Sequence, residues 1–105
     1  MSVVEEKVNI EEIVKIIVGQ YGPVERIILF GSQARGEADE YSDLDIIIIK
    51  NTEQRFTERL ANAPNLPVHA DIFVYTPNEF EQMKENENPF IMSVLESAKT
   101  IYEKS

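Results

Sequence analysis

Residues 27–49 read IILFGSQARGEADEYSDLDIIII, two apolar runs held apart by a polar insert that begins with Gly31 and Ser32. From Val24 to Phe30 the branched and aromatic residues have the composition of a β-strand, with Glu25 and Arg26 at its exposed start. Glycine followed by serine breaks that strand and opens a short helical turn, which Gly36 can close with a left-handed cap. Glu37 to Ser42 reads as a loop. Asp43 to Lys50 is then a second strand, and its four consecutive isoleucines predict burial on both faces and a central place in a sheet.

Upstream, Asn9 followed by Glu12 has the form of a helix N-cap, and Ile10, Ile13, Val14, Ile17 and Tyr21 recur at helical spacing. An amphipathic helix over 9–20 is expected, stopped by Gly22 and Pro23. Downstream, Thr52 can cap a helix with Phe56 and Leu60 one turn apart, ended by the two prolines between Ala63 and Pro67. Val68 to Tyr75 is a third strand. Thr76, Pro77 and Glu79 form a capping box with proline at the first helical position, which predicts a helix over 77–85. Asn88 and Pro89 start another, with Phe90, Val94 and Leu95 as its apolar stripe, and Thr100 to Tyr102 adds a last short strand. This order predicts an α/β (α+β) domain, a small mixed sheet backed by helices, over residues 1–105.

Ten Lys plus Arg stand against 19 Asp plus Glu, and a net charge of −9 repels polyanions, so long DNA or RNA is not expected as a substrate. A basic partner protein is compatible with this charge, which also serves solubility. The absence of cysteine excludes disulfides and thiolate metal sites. No apolar run approaches the roughly 20 residues of a membrane span, and a cytoplasmic protein is expected.

Chemistry concentrates in the opening stretch. Gly31 carries no side chain where a strand turns into a helix, so a triphosphate can approach the backbone, and Ser32 sits where a helix dipole favours an anion. A Gly-Ser pair alone also occurs at ordinary helix starts. Asp43 and Asp45, two apart on a strand, project from one face, and aspartates opening an apolar strand have a desolvation cost that a divalent cation would offset. A solvated strand end is the plainer account of two such residues. Asp71 lies in the apolar run VHADIFVY and shares a face with His69, Phe73 and Tyr75. If that strand lies beside the one opened by Asp43, three carboxylates converge, enough for two magnesium ions about 4 Å apart.

The arrangement strand-G-S-x-A-R-G-loop-S-D-x-D-strand, on Gly31, Ser32, Ala34, Arg35, Gly36, Ser42, Asp43 and Asp45, resembles the signature of the DNA polymerase beta-like nucleotidyltransferases, specifically their minimal branch. Asp71 matches that family's third acidic residue, and the likeness covers essentially the whole chain. The resemblance implies a nucleotidyltransferase fold in which Asp43, Asp45 and Asp71 are catalytic and hold two Mg2+ ions. It implies that Gly31 and Ser32 bind the nucleotide phosphates, and that Asp71 also assists deprotonation of the acceptor hydroxyl. Arg35 either reaches a phosphate or pairs with Glu37, Asp39 or Asp43. His69 is expected to face solvent, with a part in acceptor binding left open, and Tyr41 and Tyr75 either stack on a base or simply pack. Stand-alone members of this kind imply a prokaryotic antitoxin that transfers AMP from ATP to a tyrosine of a HEPN-type toxin, in a hetero-oligomer with it. Silencing by occlusion alone, or transfer to a small molecule such as an antibiotic, are the alternatives.

Overall fold

The computed structural model describes residues 9–31, 34, 44–63 and 65–104. Helix α1 (Ile10–Tyr21) starts where expected: Asn9 Oδ1 accepts the Glu12 N–H at 3.1 Å. At its other end the Lys50 ammonium donates to the Tyr21 carbonyl at 2.7 Å and sits 3.9 Å from the centroid of the Tyr21 ring, a cation where the helix dipole favours one. The chain continues through β1 (Arg26–Phe30), β2 (Leu44–Ile49), α2 (Phe56–Ala61), β3 (Ala70–Tyr75), α3 (Pro77–Glu85), α4 (Pro89–Ser97) and β4 (Lys99–Glu103).

The four strands form one sheet in the order β3-β2-β1-β4. Strand β1 runs antiparallel to both β2 and β4, whereas β2 and β3 are parallel, so the sheet is mixed as the sequence predicts. The isoleucine run occupies one of the two interior strands: Ile46, Ile47 and Ile48 are fully buried and Ile49 is 4% exposed. Alternation sorts them. Ile46 and Ile48 join Ile27, Leu29 and Val74 under Ile13, Ile17 and Tyr21 of α1, while Ile47 and Ile49 join Ile28 under Phe80, Ile91 and Val94 of α3 and α4.

Two expectations about helices need correction. Thr52 does not cap α2; its Oγ1 accepts the Gln54 N–H at 3.1 Å in a local turn, and the helix begins at Phe56. Among the described side chains of α2 the one turned inward is Arg59, 6% exposed, while Leu60 is 41% exposed. Arg59 can be buried because the fold supplies acceptors: Gln54 O to Nε at 2.8 Å, Val74 O at 3.2 Å, and both Glu79 oxygens at 2.6 and 3.2 Å. In α4 the buried pair is Ile91 and Val94, and Leu95 is 42% exposed. At about 100° per residue Leu95 is rotated to the flank of the helix. The capping box of α3 stands: Thr76 Oγ1 accepts the Glu79 N–H at 3.1 Å and Glu79 Oε1 accepts the Thr76 N–H at 2.8 Å. Strand β4 is longer than its apolar centre suggests, because backbone pairing with β1 carries Lys99 and Glu103 into the ladder.

Candidate active site

Because β1 is antiparallel to β2 and β2 is parallel to β3, the C-terminal end of β1 and the N-terminal ends of β2 and β3 lie at one edge of the sheet. One row of backbone partners there is Phe30, Asp45 and Asp71. Paired residues on neighbouring strands, about 4.8 Å apart, project from the same face. That face is the one covered by α3 and α4, since Ile47 and Ile49 alternate with Asp45 and Phe73 alternates with Asp71. Asp45 is half-buried and Asp71 is exposed.

Two like charges directly across a ladder repel, and desolvating one of them adds to the cost. A divalent cation between them reverses the sign of the interaction, and carboxylate oxygens suit an ion of the magnesium type. The donor set therefore fits such an ion. Among the described residues no group of three or more acidic or histidine side chains gathers; Asp43, Ser32 and Arg35, with Tyr41, lie outside the described residues.

Gly31 follows Phe30 directly and adopts φ 77°, a left-handed conformation that favours glycine. A Cβ built there would collide with Asp45 Oδ2, so the turn closes directly over the carboxylate. Its N–H donates to Ser97 Oγ, at the end of α4, at 3.0 Å. Glycine at 31 thus makes room for Asp45, and its amide is committed to Ser97. Beside the carboxylates lies an aromatic layer. The ring of Phe90 lies 5.8 Å from that of Phe30 and 5.0 Å from that of Phe73, and Phe30 and Phe73 are 6.2 Å apart. Such a layer sets a partly buried apolar surface on the same sheet face as the charge row.

The other candidates fall as follows. His69 is exposed, and its backbone carbonyl accepts the Leu44 N–H at 3.0 Å, aligning β3 with β2. Tyr75 shares the face of Asp71 and lies four residues along β3, about 13 Å away at the strand rise. It lines a cavity of about 260 Å³ with Glu79, Gln82, Met83 and Asn86. Burial, with the Glu79 charge second, raises the Tyr75 phenol above its ordinary pKa. Sequence reasoning missed Ser97, which carries no motif, and the joint role of Phe30 and Phe90, whose meeting depends on how α4 crosses the sheet.

Residues 11–105 match the family model described as Polymerase beta, Nucleotidyltransferase. The chain belongs to this nucleotidyltransferase family. It is 33% identical over 99 residues to a protein of Methanocaldococcus jannaschii named "Putative protein adenylyltransferase MJ0604", a match covering 93% of this chain and 98% of that one. The fold of this nucleotidyltransferase is similar to that of a toxin-antitoxin crystallised with AMP-PNP, with TM-score 0.63 and 19% identity over 93% of this chain and 76% of that chain. A mutant of the toxin-antitoxin MntA-HpeT gives TM-score 0.62 and 20% identity, over 94% of this chain and 76% of that chain. At these identities the likeness is one of fold. No helix among the described residues of this nucleotidyltransferase is long and apolar enough to cross a membrane.

Proposed function

We propose that this nucleotidyltransferase is a magnesium-dependent protein adenylyltransferase, an antitoxin that moves AMP from ATP onto a tyrosine hydroxyl of a HEPN-type toxin with which it forms a hetero-oligomer in the prokaryotic cytoplasm. The observation that carries it is the alignment of Asp45 with Asp71 in one row, roofed by the glycine turn. The name of the Methanocaldococcus relative supports protein as the acceptor, and the toxin-antitoxin structures of the same fold support a toxin as the partner.

In this reading Asp43, Asp45 and Asp71 hold two Mg2+ ions, which when bound neutralise triphosphate charge and lower the pKa of the acceptor hydroxyl. Ser32 and Arg35 hold phosphate oxygens. Gly31 contributes space, since its amide is committed to Ser97. Asp71, the more exposed carboxylate, faces the acceptor and takes the proton of the tyrosine hydroxyl. The phenolic oxygen attacks the α-phosphorus, the bond to the bridging oxygen breaks, and pyrophosphate leaves with the electron pair.

The test is intact-mass spectrometry of the neighbouring toxin after incubation with this protein, ATP and magnesium, beside a control carrying Asp43→Asn and Asp45→Asn. A gain of one or more AMP units, absent from the control, is expected. An unmodified toxin in a stable complex would move the function to occlusion, and modification of a small molecule without any partner protein would move it to that substrate class.

A further inference from the structure

We infer that Ser97 is a positioning residue of the transfer site, holding the Gly31 turn over Asp45. The inference rests on the nucleotidyl-transfer reading above. The ladders of β1 end at Phe30 opposite Asp45 and at Leu29 opposite Lys99, so the Gly31 N–H lies beyond both. Ser97, 66 residues later, supplies its acceptor at 3.0 Å. The bond fixes the rotation of the peptide entering Gly31.

That rotation matters because of what lies under the turn. Gly31 stands so close to Asp45 Oδ2 that a Cβ there would meet it, so where the turn sits bears on where the carboxylate can sit. The hydroxyl is itself held firmly. Ser97 is the last residue of α4, which Ile91 and Val94 anchor to the sheet face that carries Asp45, and which places Phe90 against Phe30, the neighbour of Gly31. One rigid helix therefore touches the strand end through its first turn and the glycine turn through its last. The Gly31 amide, beyond both ladders, needs an acceptor, and a hydroxyl supplies one while keeping its own proton to donate.

The experiment compares wild type, Ser97→Ala and Ser97→Thr in three measurements: AMP transfer to the toxin, Mn2+ binding in the presence of a non-hydrolysable ATP analogue, and thermal unfolding. Misplacing a metal-holding carboxylate is expected to lower kcat about tenfold to a hundredfold, with KM for ATP within about twofold of wild type. Mn2+ affinity should fall about tenfold, and Ser97→Thr, which keeps the hydroxyl, should restore both. Loss of folded protein alone would also lower apparent kcat at constant KM, but it would reduce the Mn2+ stoichiometry and leave the Mn2+ affinity of the folded fraction at the wild-type value, so that affinity, read beside the unfolding midpoint, separates positioning from stability. An active wild type with Ser97→Ala unchanged in kcat and in Mn2+ binding overturns the inference. A wild type that transfers nothing but binds Mn2+ more tightly than Ser97→Ala sinks the transfer reading and keeps the positioning of the cation site. A wild type silent in both assays overturns both. Should Ser97→Ala fail to fold, Ser97→Cys, of similar size but a weak acceptor, takes its place.

Discussion

Replacing Arg59 with methionine should destabilise the protein by about 1.5–3 kcal/mol. Methionine keeps most of the apolar stem that α2 packs inward and removes the guanidinium, so the change isolates the polar contacts. Their worth follows from what each partner can do once abandoned. The Gln54 carbonyl precedes α2 and can turn to water, so its loss costs little. The Glu79 side chain is 42% exposed, and half-exposed ion pairs contribute about 0.5–1 kcal/mol. The Val74 carbonyl belongs to a residue with no exposure and loses its guanidinium donor, at about 1–2 kcal/mol. Urea unfolding followed by circular dichroism reads the sum, and an unchanged slope would confirm that only stability moved. A loss below about 0.5 kcal/mol would refute the claim that these bonds outweigh the cost of burying the charge.

Acid should weaken the same junction. Hydrogen bonding from Arg59, ahead of the opposing effect of burial, lowers the Glu79 pKa below its usual value. A carboxylate depressed on folding contributes stability above its unfolded pKa and loses it as pH falls through the folded one. Stability should therefore decline below about pH 4.5 and decline less steeply in Arg59→Met, which urea midpoints across pH 3–6 would show. Gly31→Ala should cost about 1–2 kcal/mol from its left-handed backbone alone and abolish transfer by displacing Asp45. A variant with wild-type activity and unfolding midpoint would contradict the close approach.

Much of the frame was legible because its residues act locally. Four isoleucines in a row have few solutions besides an interior strand, and Thr76 with Glu79 announces the start of α3 within four residues. Asp45 and Asp71 stood out as charges in apolar strands, and their meeting required only that the two strands be neighbours. What stayed hidden depends on distant partners. Arg59 reads as a surface residue until Val74 and Glu79, 15 and 20 residues away, provide its acceptors, and apolar patterning then wrongly favours Leu60. Tyr75 shares a face with Asp71 by alternation, but alternation carries no distance. Ser97 has no local signature, because its role exists only once α4 lies across the sheet.

The contact between Gly31 and Ser97 also orders events during biogenesis. A ribosome adding roughly 5–20 residues per second needs about 3–13 s to pass from one to the other. During that interval the nascent chain carries Gly31, Asp45 and Asp71 without the hydroxyl that holds the turn. Strand β4, which pairs with the outer side of β1, emerges later still, and with it the Lys104 N–H that donates to the Glu25 carbonyl at 2.9 Å. The roof is therefore closed only after Ser97 has emerged, and a ribosome-bound intermediate stalled before Ser97 would hold the acidic row without it.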